Sequence, residues 1–238
     1  MKSSDLYKPT QSFGLIIVGA PGTGKTCLAA KFPRPYYLDC DNNLISVKSV
    51  FPSTKFLYDT IDIDDNGQEV PEAKRWVRLL DCTTTAGSSP EVDTIILDSL
   101  TKASDYLVSY ILDKEKPKDG TMRIQDWGTF KVLMTRYLTK LRTLKKMIVV
   151  IAHEKYDKDE MSGVLQFKVT VPGQLGDHIG ALFTDMWRCE CKEEVGKYTY
   201  FVRTKPTARI SLKTSMPIPP TFEFNWDLIS KYLTPQTA

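Results

Sequence analysis

One short segment of the sequence has the residues of a phosphate-binding loop. Positions 19–26 match the pattern G-x-x-x-x-G-K-[ST] at every fixed position. The glycines let successive backbone N–H groups turn toward phosphate oxygens, where a side chain would block the approach. Lys25 can bring a positive charge to the β- and γ-phosphates of ATP, and the Thr26 hydroxyl can bind Mg²⁺. The predicted nucleotide-binding residues are Gly19, Ala20, Pro21, Gly22, Thr23, Gly24, Lys25, Thr26 and the adjoining Cys27.

A metal ion bound at such a loop needs a second oxygen ligand from the protein, and Asp98 is the candidate. It ends the apolar run Thr94–Asp98 at the carboxyl edge of a predicted sheet, where ligands bind. The pattern is weak by itself, because many buried strands end in an Asp that caps the next helix. Since it follows the glycine-rich loop by about 70 residues, we interpret Thr26 and Asp98 as a pair of Mg²⁺ ligands.

The elements that position these residues alternate between apolar strands and amphipathic helices, which is typical of βαβ units and predicts an α/β fold with a mainly parallel sheet. The predicted strands are 13–18, 36–39, 55–58, 93–98 and 146–152. The predicted helices are 25–31, 71–80, 100–112, 124–145 and 226–232. Loops are expected at 59–68, 83–90, 114–120 and 154–169, and short antiparallel strands at 186–191, 198–204 and 208–213. We therefore predict a leader over 1–12, a core over 13–213 and a tail over 214–238.

Composition sets the class of protein but not its activity. The 238 residues are 42% hydrophobic, enough to bury a sizeable core, and the net charge of +3 is too small to indicate a nucleic-acid partner. No apolar run approaches the ~18 residues that span a bilayer, and the start lacks a signal peptide, so we expect a cytoplasmic protein without a membrane partner. The five cysteines form no disulfide or zinc pattern and are expected to be reduced.

The order of four motifs carries a family resemblance. The glycine-rich loop is followed by Tyr37-Leu-Asp39-Cys-Asp41, then Ile96-Leu-Asp98-Ser99, then Val150-Ile-Ala-His153-Glu154. In this order the chain resembles small phage-encoded nucleotide-binding proteins of the RecA superfamily, which include minimal RecA-like single-strand annealing recombinases. The resemblance spans about residues 13–212. It implies a RecA-type P-loop NTPase core with antiparallel strands near its C-terminus.

The resemblance also implies roles for individual residues around the phosphates. Asp41 falls where RecA-like proteins carry the carboxylate that polarises the attacking water, although Asp is one methylene shorter than the usual Glu; Asp39 is the competing candidate. His153 falls where the family has a polar sensor of the γ-phosphate. Lys205 and Arg209 are candidates for basic residues that reach the γ-phosphate bound by a neighbouring subunit.

DNA-binding loops of the family correspond to residues 114–127 and 154–169 here. These segments offer cationic and aromatic side chains, but they also contain acids, so solvated loops of mixed charge are the alternative interpretation. The offered residues are Lys114, Lys116, Lys118, Arg123, Trp127, Lys155, Tyr156, Lys158, Phe167 and Lys168. The resemblance thus implies a Mg²⁺-dependent, DNA-stimulated ATPase that forms a ring or filament on single-stranded DNA and promotes annealing or strand exchange. A single-strand-binding protein is a candidate partner. The alternatives are a DNA motor or helicase loader, and a nucleotide-gated binding module with negligible turnover.

Overall fold

The computed structural model describes residues 13–117, 119–158, 163, 165–173 and 175–233. Strands and helices alternate through the first two thirds of this part of the chain. The strands are β1 Gly14–Gly19, β2 Pro35–Asp39, β3 Leu57–Thr60, β4 Thr94–Asp98, β5 Met147–Lys158, β6 Leu165–Val169, β7 Asp185–Glu194, β8 Lys197–Arg203 and β9 Thr221–Phe222. The helices are α1 Lys25–Ala29, α2 Ile45–Val50, α3 Glu72–Ser88, α4 Leu100–Glu115, α5 Ile124–Thr143, α6 Leu175–His178 and α7 Trp226–Leu233, with a 3-10 turn at Ile179–Leu182.

The strands form a sheet in the order β3-β2-β4-β5-β1-β7-β8-β9. Strands β3 to β7 in this order are parallel, β8 and β9 are each antiparallel to the preceding strand, and β6 pairs with the outer half of β5. The predicted α/β class, with a mainly parallel sheet and C-terminal antiparallel strands, is confirmed. The register sets Asp39 beside Asp98 and Gly19 beside His153, so residues distant in sequence meet at the carboxyl edge.

Both faces of the sheet are covered because successive side chains of a strand point to opposite sides. In β1, Ile16 and Val18 pack toward the layer that contains α3, α4 and α5. Leu15 and Ile17 pack toward α1, α2 and α7. Because both faces of each central strand are covered, every position of the strand has to be apolar, as in β1. The continuous apolar runs in the sequence are the mark of such strands.

Helix α3 is longer than the sequence predicts. The region 83–90 was expected to be a loop, but the helix continues to Ser88. The hydroxyls of Thr83, Thr84 and Thr85 donate to the carbonyls four residues earlier, at 2.7, 2.9 and 3.2 Å. These side-chain bonds satisfy the polar groups within the helix. Burial of Cys82, Thr83 and Ala86 then outweighs the weak helix propensity of a threonine run.

Two further expectations about local structure are wrong. The described part of 154–169 is a hairpin rather than a loop, because β5 continues to Lys158 and pairs with β6; residues 159–162 and 164 lie outside the described ranges. The segment 208–213 contains no strand, only isolated bridges such as Met186 with Lys213. Strand β7 also pairs parallel with β1, so only β8 and β9 of the late strands in the main sheet are antiparallel.

The segment after residue 213 packs against the sheet. Met216, Ile218 and Ile229 are buried in the same cluster as β1 and α1. Trp226 packs on Phe32 with ring centroids 5.1 Å apart. Within the described ranges, no helix is long and apolar enough to cross a membrane.

Candidate nucleotide-binding site

The glycine-rich loop connects β1 to α1 and wraps around the Lys25 side chain. The Lys25 ammonium donates to the carbonyl oxygens of Gly19 and Ala20 at 2.9 and 2.8 Å. Lys25 is only 6% exposed, and burial lowers the pKa of its ammonium. A buried cation held by backbone carbonyls is well placed to exchange those weak partners for a phosphate oxygen.

Two glycines of the loop are required by its shape. Gly24 has φ of +78°, in the left-handed region, and a Cβ there would lie 3.2 Å from the ring of Tyr200. Gly19 leaves no room for a side chain, because a Cβ would lie 2.7 Å from the Thr23 hydroxyl and 2.8 Å from the Cys189 carbonyl oxygen. Both the backbone angles and the close approach therefore explain these fixed positions of the motif.

The two predicted Mg²⁺ ligands contact each other. The Thr26 hydroxyl donates to Asp98 Oδ2 at 2.7 Å. Asp98 is 3% exposed, and burial raises the pKa of its carboxyl to about 7, against the opposing hydrogen bond from Thr26. From β2, the Tyr37 hydroxyl donates to the Thr26 carbonyl at 2.9 Å and fixes the start of α1.

This pair of oxygen ligands fits Mg²⁺. Magnesium prefers hard oxygen ligands and usually takes one or two from the protein, with the rest from substrate phosphates and water. The described residues contain no group of three His, Cys, Asp or Glu that could enclose a metal by themselves. The buried Asp98 carboxylate and Thr26 hydroxyl therefore supply the partial protein shell that a nucleotide-bound Mg²⁺ needs.

Asp41 and His153 meet at the same edge of the sheet. His153 Nε2 lies 3.3 Å from Asp41 Oδ2, and the Ser99 hydroxyl donates to Asp41 Oδ1 at 3.1 Å. Asp41, His153 and Asp98 all line one cleft with the glycine-rich loop. The Ser99 contact was not anticipated, because only the fold brings it next to the loop after β2.

Asp39 differs from Asp41 in its surroundings. It is buried and does not line the cleft, and its Oδ1 has no hydrogen-bond partner among the described groups. Burial raises the pKa of Asp39 to about 6, although backbone amides of residues 41–43 oppose the change. Of the two carboxylates, only that of Asp41 therefore faces the space that the phosphates would occupy.

The sequence matches a family model described as AAA domain, AAA_24, over residues 13–215. This chain belongs to that AAA domain family. No curated protein matches the sequence. The AAA domain is a P-loop NTPase of α/β fold, and its family uses nucleotides, usually with Mg²⁺.

Several solved structures resemble this AAA domain at low identity. A KaiC-like protein from the archaeon Pyrococcus horikoshii OT3 is 12% identical with a TM-score of 0.45, and the match covers 84% of this chain and 83% of that one. Flagellar accessory protein FlaH from Methanocaldococcus jannaschii is 16% identical with a TM-score of 0.39, covering 85% and 84%. An ATPase from the type III secretion system of pathogenic bacteria is 16% identical with a TM-score of 0.48, covering 75% of this chain and 52% of that one.

Lys205 and Arg209 of the AAA domain do not join the site within one chain. Both are exposed in the turn that follows β8, and neither lines the nucleotide cleft. Arg209 lines a separate groove with Lys168 and Lys213. Lys205 and Arg209 can therefore contact phosphates only if these are bound by a neighbouring subunit, which is the role that the sequence predicts for them.

An ion network connects the nucleotide site to the β5–β6 hairpin. Glu154 follows His153, its side chain is 2% exposed, and Arg188 donates to both of its oxygens at 2.8 Å. The Arg188 guanidinium also lies 4.0 Å from the ring centroid of Phe167 in β6. Because a bidentate buried pair is rigid, it fixes the base of the hairpin relative to His153. Sequence alone gave no partner for Glu154.

The two segments predicted to bind DNA present different surfaces. In 114–127, Arg123 is already paired with Glu115 and Asp126 at 2.9 Å, and Lys118 lies outside the described residues. In the hairpin, Lys155 and Tyr156 are exposed, whereas Lys168 is paired with two aspartates. Lys116 and Trp127 in the first segment are exposed as well, so both segments offer exposed cationic and aromatic groups.

The cleft extends beyond the phosphate loop. It has a volume of about 650 Å³ and continues past Cys27 to Tyr200 on β8 and Phe224 after β9. Cys27 is half-buried, its thiol points to the Ser46 carbonyl at 3.7 Å, and burial raises its pKa. The aromatic residues at this end were missed, since no local pattern marks a strand residue that will lie across from the loop.

Proposed function

We propose that this chain is a Mg²⁺-dependent ATPase that self-associates on single-stranded DNA and promotes annealing or strand exchange. The observation that supports hydrolysis best is the Thr26–Asp98 contact of 2.7 Å beside the buried Lys25, with Asp41 and His153 facing the same cleft. A lysine, a metal-ligand pair and a carboxylate base within one cleft are the parts that phosphoryl transfer to water requires.

Each protein group has a defined task in this proposal. Lys25 leaves its backbone carbonyls to contact the β- and γ-phosphates, while Thr26 and Asp98 hold Mg²⁺. Bound Mg²⁺ supplies charge neutralisation at the phosphate oxygens. Asp41 orients the attacking water and takes its proton, and the Ser99 hydroxyl at 3.1 Å holds the carboxylate in place. His153 lines the same cleft 3.3 Å from Asp41, and its task is to contact the terminal phosphate as a sensor.

The DNA part of the proposal rests on the hairpin and on the resemblance to phage annealing proteins. Exposed Tyr156 can stack on a base, and Lys155 and Lys158 can contact phosphates without breaking an existing ion pair among the described residues. The Glu154–Arg188 pair offers a physical connection between those contacts and His153. DNA bound at the hairpin can therefore alter the geometry of the hydrolytic residues.

Phosphate release from ATP and Mg²⁺, with and without single-stranded DNA at one fixed moderate salt concentration, tests the proposal. Lys25→Ala is the inactive control. We expect DNA to raise the wild-type rate several-fold and the variant to release no phosphate. Annealing of complementary strands is followed in the same samples.

Other outcomes select the alternatives. Tight ATP binding without phosphate release, even with DNA, would point to a nucleotide-gated binding module. Strand separation without annealing would point to a DNA motor or helicase loader. Turnover that ignores DNA would keep the ATPase and remove the recombination role.

A further inference from the structure

The nucleotide cleft includes residues that lie beyond the family match. That match ends at residue 215, whereas Glu223 and Phe224 line the same cleft as the glycine-rich loop. We propose that the C-terminal segment 216–233 forms the base-binding end of this cleft, with Phe224 stacking on adenine and Glu223 accepting a hydrogen bond from its amino group. This inference rests on the proposed function, because it assumes that the loop holds the phosphates of ATP.

The segment is anchored on both sides of these two residues. Before them, β9 pairs with β8, and the Thr204 amide and hydroxyl donate to the carbonyls of Pro220 and Pro219, each at 2.9 Å. After them, Ile229 is fully buried and Trp226 packs on Phe32. Glu223 and Phe224 are therefore held between two fixed points, as a specificity element needs to be.

Aromatic side chains line the cleft on two sides. Phe224 packs on Phe32 with ring centroids 5.7 Å apart and remains half-buried. On the β8 side, Tyr200 is 51% exposed and its ring lies against Gly24. A flat aromatic ligand gains dispersion and stacking energy against an aromatic ring such as that of Phe224. The volume of about 650 Å³ is in the range of clefts that enclose ligands of nucleotide size.

The polar groups at this end suit the edge of an adenine. Glu223 is exposed, and no hydrogen bond or ion pair within the described ranges engages its side chain. Its carboxylate can accept a hydrogen bond from the exocyclic amino group. The Lys31 ammonium lies 6.0 Å from the centroid of Phe224, so a donor is available beside that ring. A donor and an acceptor together match the ring nitrogen and the amino group of adenine.

Calorimetric titration in Mg²⁺ tests this assignment with three probes: ATP, purine riboside triphosphate, which lacks the amino group, and inorganic tripolyphosphate. We expect Phe224→Ala to weaken ATP binding about tenfold or more, since stacking is lost. Glu223→Ala, which leaves no side-chain acceptor, should remove an approximately tenfold preference for ATP over purine riboside triphosphate. Neither variant should change tripolyphosphate binding, because the phosphates lie at the other end of the cleft.

Phe51→Ala is the matched control, since Phe51 lines the cleft on the α2 side of Lys31. If Phe51→Ala weakens ATP binding while Phe224→Ala and Glu223→Ala do not, the base lies toward α2 and the inference is overturned. It is also overturned if both C-terminal variants bind all three probes like the wild type. Failure of the wild type to bind either ATP or tripolyphosphate would instead refute the proposed function itself. Glu223 is exposed, so Glu223→Ala should fold and still tests the inference if Phe224→Ala does not fold.

Discussion

Replacing Asp98 with Asn should make the folded protein more stable and remove its response to Mg²⁺ and ATP. Burial raises the pKa of this carboxyl from 3.8 to about 7, so folding holds the group in an environment that disfavours its charge. Asn is neutral and nearly isosteric, and its side-chain oxygen can still accept the Thr26 hydrogen bond. The substitution therefore removes a negative charge that destabilises the folded protein but is needed to bind Mg²⁺.

The size of the effect follows from the pKa. A tenfold change in proton affinity corresponds to about 1.4 kcal/mol. The rise in pKa from 3.8 to about 7 therefore means that the Asp98 charge lowers the free energy of unfolding by at most about 4 kcal/mol above pH 7. Weakening of the hydrogen bond from Thr26 costs about 1 kcal/mol of this. We expect Asp98→Asn to raise the free energy of unfolding by about 2–3 kcal/mol at pH 8.

The pH dependence has a definite sign. The pKa of Asp98 is higher in the folded than in the unfolded protein, so its charge does not destabilise the fold below pH 3.8. Between pH 3.8 and about pH 7 the destabilisation grows, and above about pH 7 it is constant. The advantage of the variant should therefore be largest at pH 8, smaller at pH 5 and absent near pH 3.8. Urea unfolding at these pH values, without nucleotide, measures it.

The control for this prediction is Asp113→Asn, which changes an exposed carboxyl on α4 and should have little effect on stability. With Mg²⁺ and ATP at about 100 times the dissociation constant, the wild type should gain about 2.7 kcal/mol and Asp98→Asn much less. A variant that is less stable than the wild type at pH 8, or an advantage that does not shrink on acidification, would refute the reasoning about burial.

Three further substitutions test other parts of the site. Asp41→Asn should lower the turnover of ATP about 100-fold or more and leave ATP binding intact, because only the base is lost; unchanged turnover would exclude Asp41 as the base. Gly24→Ala should lower the melting temperature more than Gly22→Ala does, since both have φ near +77° but only Gly24 faces Tyr200, and equal effects would contradict that contact. Lys205→Ala should cut turnover at least tenfold in the assembled protein and spare ATP binding, and unchanged turnover there would rule out the contact from a neighbouring subunit.

Local chemistry made the phosphate site predictable. The glycine-rich loop needs Gly24 at a positive φ and Gly19 where no Cβ fits, so the motif is tied to one backbone shape. Buried strands such as β4 need uninterrupted apolar residues, so their positions could be predicted from the sequence. The end of α3 and the hairpin of β5 and β6 were not predictable, because side-chain hydroxyl bonds and distant strand pairing outweigh local propensity there.

The sequence by itself determined that a phosphate loop follows the first strand of an α/β sheet and that Asp98 ends another strand, since both follow from spacing and periodicity. Only the tertiary structure decided that Asp41, rather than Asp39, faces the cleft, and that Glu154 is held by Arg188. It also decided that Tyr200 and Phe224 line that cleft. The physical reason is that these contacts depend on strand order and on which face each side chain occupies, and a sheet assembled from distant segments sets both at once.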